Sequence, residues 1–185
     1  MPISSRAEYK AYLAADAKAH GLEKVTMLEL IKRPQLRFQR RLRYVEYMHN
    51  CRTGLLWKPY VLFCRWRLQT MGIKLGFMVG LNVCGPGLCL VHWGTTLISP
   101  EARIGRNCKI HASTSIASFG AGSPTLGDDV YVGPGAKVMG QITIGDRVTI
   151  GANAVVYKSY PSDVTIAAAP SRAFPRPPSG TAPGE

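Results

Sequence analysis

Residues 126–156 read LGDDVYVGPGAKVMGQITIGDRVTIGANAVV, and their spacing decides the fold. An aliphatic side chain recurs at every sixth position: Leu126, Val132, Val138, Ile144, Ile150 and Val156. Upstream, Ile98, Ile104, Ile110 and Ile116 keep the same step. Glycine follows at Gly105, Gly127, Gly133, Gly145 and Gly151. Small or β-branched residues stand two positions before: Ala102, Cys108, Thr114, Val130, Ala136, Val148 and Ala154. A period of six fits neither a helix nor simple alternation. It predicts a stacked β-solenoid, in which each short strand points one aliphatic side chain into a narrow core. Each coil buries its apolar edge only against the next, so stability is a nearest-neighbour sum.

Working outward, the step from Ile116 to Leu126 is ten residues, four more than the period. A loop around Ser118–Ser123 must protrude there, and loops on rigid scaffolds commonly carry binding residues. From Leu75 to Ile98 the chain has no charged residue, long enough for a bilayer. Its glycines, Pro86, Asn82 and His92 make a spanning helix a poor fit. The stretch reads instead as the start of the β structure.

The first part of the chain reads differently. Residues 5–20 suit a short polar helix. Pro34 can open a second, with Phe38, Leu42, Val45 and Met48 at helical steps. A third runs from about Leu56 to Thr70, where Trp57, Tyr60, Val61, Cys64, Leu68 and Met71 form an apolar stripe expected to pack. The division is thus 1–76, a basic α-helical segment; 77–174, the solenoid; and 175–185, a Pro-rich tail expected to be disordered.

The chain of 185 residues carries a net charge of +12, of which +10 falls in residues 1–76. Its densest part runs from Lys32 to Arg43. Such a surface attracts phosphates or anionic lipid, or it is simply a solvated helix face. No nucleic-acid-binding motif accompanies it. The five cysteines are odd in number and lack CxxC spacing, which predicts reduced, mostly buried thiols and no zinc site. The N-terminus, Met1 to Ser5, runs into charged residues without an apolar core, so a signal peptide is not expected. His20 and His49 lie in the helical segment and read as solvated.

Gly85-Pro86-Gly87-Leu88-Cys89-Leu90-Val91-His92, followed by Ile98-Ser99-Pro100, resembles the serine acetyltransferase group of hexapeptide-repeat acyltransferases. The likeness extends in particular to relatives in capsule and exopolysaccharide gene clusters, and covers roughly residues 77–174. The resemblance implies a mainly β fold, a left-handed parallel β-helix with an N-terminal helical segment. It implies a homotrimer with active sites between neighbouring β-helices, and acetyl-CoA as donor without a metal.

By the same resemblance His92 is the general base. An imidazole titrates close to neutral pH and can take a hydroxyl proton as the oxygen attacks a thioester. His111, nineteen residues on, is a second catalytic candidate or a packing histidine. Asn82 and Trp93 are candidate substrate-binding residues. Asn82, a backbone carbonyl or water would orient His92. Pro134 and Ala152 match the pantetheine-lining positions, and Lys158 and Arg172 could meet the phosphates of CoA.

Three family side chains are missing. Val91 replaces an Asp that holds the ammonium of serine. Phe77 falls where an Asp orients the histidine. Ser123 or Pro124 replaces a His that touches the carboxylate. Their loss predicts an uncharged acceptor, a sugar hydroxyl of a cell-surface or lipid-linked glycan, with serine as the alternative. A cytoplasmic enzyme touching an anionic membrane face peripherally would suit that reading.

Overall fold

The computed structural model describes residues 2–120 and 122–168. Arg172, the end of the 77–174 region and the tail therefore lie outside the described residues. Four helices come first: α1 (Arg6–Ala19), α2 (Met27–Lys32), α3 (Pro34–Cys51) and α4 (Lys58–Leu75), the last preceded by a 3-10 turn at Leu55–Trp57. Ser5 caps α1 by accepting from the Glu8 N–H at 3.1 Å, while Glu8 accepts from the Ser4 N–H at 2.7 Å. Pro34 opens α3, where its missing N–H costs nothing. The short α2 was not foreseen. It is too brief for periodicity to reveal, and Thr26 caps it. α4 ends at Gly76, whose φ of +77° turns the chain directly into the first strand. A Cβ there would press on the Gly94 backbone at 2.9 Å.

Short strands β1 to β13 then wind into a parallel solenoid, matching a left-handed β-helix. One face holds β1 (Phe77–Val79), β3 (Thr96–Ile98), β6 (Ser115–Ala117), β9 (Lys137–Met139) and β12 (Val155–Val156). The second holds β4 (Arg103–Ile104), β7 (Thr125–Leu126) and β10 (Thr143–Ile144). The third holds β2 (Cys89–Leu90), β5 (Lys109–Ile110), β8 (Tyr131–Val132), β11 (Thr149–Ile150) and β13 (Thr165–Ile166). All ten aliphatic positions of the six-residue period are buried, none more than 4 % exposed. The inserted loop leaves the prism after β6, with Phe119 exposed and its N–H bonded to the Gly122 carbonyl at 3.1 Å.

Any solenoid leaves the backbone of its first coil unpaired on one side, and buried N–H and C=O groups must find partners. Here α1 and α3 supply them. Gln35, Gln39, Arg43, Glu46 and Asn50 line up along α3 at three- and four-residue steps. Gln39 donates to the Leu88 carbonyl at 2.6 Å and accepts from the Leu90 N–H at 3.0 Å. Arg43 donates to the carbonyls of Cys84 and Gly85 at 2.7 and 2.6 Å. Glu46 accepts from the Asn82 N–H at 2.7 Å. Asp16 of α1 accepts from the N–H groups of Gly87 and Leu88, at 2.9 and 3.0 Å. Arg43 also pairs with Asp16 at 2.9 Å and Glu46 at 3.1 Å, all three fully buried. Burial opposes the Arg43 charge, but the two carboxylates outweigh it and hold the guanidinium more firmly protonated than usual.

The dense positive run therefore splits. Arg43 is an internal strut, whereas Arg37, Arg40 and Arg41 line a cleft of about 490 Å³ between α3 and α4. The stripe of the third helix also splits. Val61, Cys64 and Leu68 are buried, but Trp57 and Tyr60 are each 43 % exposed. Among the described residues no helix is long and apolar enough to cross a membrane. The cysteines are all free, four of them buried, and burial pushes the Cys108 thiol up to about 12. Such thiols are poor nucleophiles near neutral pH.

Candidate active site

His92 sits at the corner between the third face and the first, just past β2. Its ring is exposed and has no hydrogen-bond partner among the described residues. The His111 ring, one coil below, lies 6.2 Å away between centroids, and His111 in turn meets the Tyr131 ring edge-on at 5.1 Å. Burial, and then the neighbouring His92 and Lys109 charges, hold His111 below the usual imidazole range. The fold thus brings both repeat-region histidines together within one chain. The spacing of nineteen residues arises because one full coil returns the chain to the same edge.

The strand register extends that edge. Leu90 pairs with Ile110, Ile110 with Val132, and Val132 with Ile150. Two residues beyond each pair stand His92, Ala112, Pro134 and Ala152, in one column. Backbone bonds tie it together, with the Gly135 N–H on the Ala112 carbonyl at 3.2 Å and the Asn153 N–H on the Pro134 carbonyl at 2.8 Å. Gly135 has φ +76°, and a Cβ there would overlap the Asn153 amide oxygen. At about 4.8 Å per coil, Ala152 lies roughly 14 Å from His92 along the edge. Pro134 and Ala152 are exposed, so the column is a shallow track with small side chains.

Other expected site residues fall elsewhere. Asn82 occupies a different corner, between the first face and the second. It exchanges amide hydrogen bonds with Asn50 at 2.8 and 3.1 Å, so it cannot orient His92. Its left-handed φ of 61° and its bond to α3 give it a structural task. Trp93 is 58 % exposed beside His92. Lys158 follows β12, across the first face from Ala152, with its ammonium 5.7 Å from the Tyr157 ring centre. Ser123 joins Ser99, Ser118 and Glu101 in a small hydroxyl cluster at the base of the inserted loop.

The helical segment closes over His92 on one side. A cleft of about 580 Å³ is lined by His92 and Lys109 from the solenoid and by Lys18, His20, Arg33 and Gln35 from the helices. Among the described residues no carboxylate lines it. His20, read from sequence as solvated, is instead half-buried. Its Nε2 donates to Gln39 Oε1 at 2.8 Å, and its Nδ1 lies 3.7 Å from the Cys89 sulfur. Burial, partly offset by the Gln39 bond, lowers its pKa from the ordinary 6.5. The unfolded chain therefore takes up this proton first as pH falls through 6.5, and the native state loses stability below that value but not above it. His20→Gln is expected to flatten the decline in melting temperature between about pH 7 and about pH 5.5. An unchanged slope would mean that His20 titrates alike in both states.

The bacterial transferase hexapeptide family (six repeats) matches residues 123–158. Serine acetyltransferase of Synechococcus elongatus is 38 % identical over 96 residues, covering 50 % of this chain and 39 % of that protein. Serine acetyltransferase of Helicobacter pylori strain J99 is 35 % identical over 105 residues, covering 52 % and 61 %. The chain thus spans about two-fifths to three-fifths of the length of these relatives. Among solved structures, soybean serine acetyltransferase superposes with a TM-score of 0.72 at 22 % identity, over 91 % of this chain and 70 % of that one. Serine acetyltransferase of Neisseria gonorrhoeae in complex with serine gives 0.69 at 23 %, over 90 % and 69 %.

These matches are serine acetyltransferases, which overturns the expected sugar acceptor and lends no support to closer kinship with capsule or exopolysaccharide enzymes. The expectation rested on three absent side chains and left out the charges that the helices bring to the cleft. The chain thus has the parallel β-helix fold of these structures, and its residues 123–158 match the transferase hexapeptide family.

Proposed function

We propose that the protein transfers the acetyl group of acetyl-CoA to the hydroxyl of L-serine. The observation that carries this reading is an unbonded imidazole, His92, in a cation-lined cleft at the head of the Ala112–Pro134–Ala152 column. The likeness to serine acetyltransferases supports the acceptor. His92 accepts the serine proton as the oxygen attacks the thioester carbonyl, forming the new C–O bond. The tetrahedral adduct collapses with breakage of the C–S bond, and the imidazolium returns its proton to the departing thiolate. No serine or cysteine beside His92 forms a hydrogen-bonded nucleophile pair with it among the described residues. Direct transfer in a ternary complex is therefore favoured over an acyl-enzyme.

The pantetheine arm would run down the column, touching backbone and the small side chains of Pro134 and Ala152. Lys158, from outside it, and Arg172 would serve the phosphates. His111 would support the His92 imidazole or take the proton in its place, and Trp93 would border the acceptor. A homotrimer would wall the open side of the track with a neighbouring coil, in a cytoplasm that keeps the free thiols reduced. A peripheral contact with anionic lipid would use the exposed side of α4, where Leu62 and Trp66 stand exposed beside Arg65. Incubation with acetyl-CoA and either L-serine or neutral sugars, with free CoA thiol followed by colour, tests the central claim. Thiol release with serine well above hydrolysis is expected; sugar-dependent release without a serine response would overturn it.

A further inference from the structure

Gln35 of α3 is buried, and its side-chain oxygen is unsatisfied. The Nε2 donates to the Val91 carbonyl at 3.2 Å, which fixes which end of the amide is which. The Oε1 is buried and has no hydrogen-bond partner among the described residues. An orphaned acceptor of this kind is uncommon in a native fold and calls for a donor. Gln35 lines the same cleft as His92, and the backbone it grips belongs to the residue just before that histidine.

The cations of the cleft are also incompletely used. Arg33 is held by Glu29 at 2.8 Å and by the His20 carbonyl at 3.3 Å. Lys18 and Lys109 form no ion pair among the described residues, and both are exposed at the cleft. A free amino acid with a side-chain hydroxyl presents three features: an ammonium donor, a carboxylate, and a hydroxyl proton. Around the cleft stand a lining residue with a buried acceptor, two ammonium groups outside any ion pair among the described residues, and an imidazole with no hydrogen-bond partner there.

We infer that Gln35 Oε1 receives the ammonium of the acceptor and that Lys109, with Lys18, receives its carboxylate. This places the recognition of both charged ends of the substrate on the contact between the helical segment and the first coils. Val91 offers no side-chain acceptor, and the amide that rests on its backbone supplies one. The inference builds on the serine reading above and assigns residues to it. A hydrogen bond to a charged group lost in this way corresponds to about 10–100-fold in affinity.

The test is steady-state kinetics of the full-length protein with three acceptors: L-serine; glycerate, which replaces the ammonium with a hydroxyl; and 2-amino-1,3-propanediol, which replaces the carboxylate. Gln35→Leu is expected to raise the KM for serine by about 10–100-fold, leaving the KM for acetyl-CoA unchanged and impairing glycerate less than serine, because its hydroxyl is a weaker, uncharged donor. Lys109→Ala, at an exposed strand position, is expected to erode the preference for serine over the aminodiol. Gln35→Glu separates binding from architecture. An ionised Glu loses the donor to the Val91 carbonyl as Leu does and also buries a charge, so it should melt no higher than the Leu variant, yet it alone keeps an acceptor and should retain a low KM for serine.

Equal impairment of the Leu and Glu variants, or an unchanged serine KM and serine-to-glycerate ratio in Gln35→Leu, overturns the inference while the proposed activity stands. If Gln35→Leu does not fold, the Glu and Lys109 variants decide, and normal discrimination in Lys109→Ala counts against it. A wild-type protein that releases no thiol with serine removes the activity and this inference together.

Discussion

His92→Ala is expected to lower kcat for serine-dependent thiol release by about 10²–10⁴-fold, the usual contribution of a positioned general base. The ring is exposed at a corner of the prism, with the His111 imidazole 6.2 Å away between centroids. Removing it opens no core cavity, so the melting temperature should stay close to that of the parent. KM for acetyl-CoA should also hold, because the column from Ala112 to Ala152 is built of backbone and small side chains. A single-turnover measurement separates the chemical step from CoA release. His111, 6.2 Å away between ring centroids, is a second imidazole placed to stand in as base. A larger loss in His111→Ala than in His92→Ala would reverse the two roles, and an unchanged rate in both would remove imidazole from the reaction.

Arg43→Ala should cost about 3–5 kcal/mol of folding stability, read as a lower urea midpoint, since it strands buried charges. The loss has two parts. The carboxylates of Asp16 and Glu46 would remain buried without their counter-ion, and the carbonyls of Cys84 and Gly85 would lose donors at 2.7 and 2.6 Å. A triple change, Asp16→Asn, Arg43→Met and Glu46→Gln, keeps the acceptors that serve Gly87, Leu88 and Asn82 while removing every buried charge. It should recover much of the lost stability, because burying charge is itself expensive. A shift within about 0.5 kcal/mol for Arg43→Ala would reduce the cluster to a spectator.

The solenoid was written plainly in the chain, because a period of six has no competing structural meaning. Each aliphatic residue from Ile98 to Val156 found the core for the reason its spacing gave. The inserted loop and the longer helices were legible on the same grounds. The polar face of α3 was not. Gln35, Gln39, Arg43 and Glu46 at helical steps look like a solvated surface. What buries them is an unpaired coil edge 36 to 56 residues away, and no local pattern announces that contact. The same blindness explains the mistaken sugar acceptor. Three absent family side chains in the repeats were visible, whereas the groups that stand beside His92 come from Lys18, Arg33 and Gln35, on helices whose docking sequence spacing does not encode. Asn82, named as a candidate to bind substrate or orient His92, stands at another corner, where it serves a tight turn and bonds to Asn50.

The cap formed by α1 and α3 has a consequence for how the molecule is made. It lies entirely ahead of the repeats in the chain, so it leaves the ribosome first and meets the first coil as soon as that coil emerges. Every later coil then finds a finished edge to add to, and the prism can lengthen in one direction at the pace of translation. Moving the helices behind the repeats by circular permutation would keep every contact and yet deprive the nascent chain of its template.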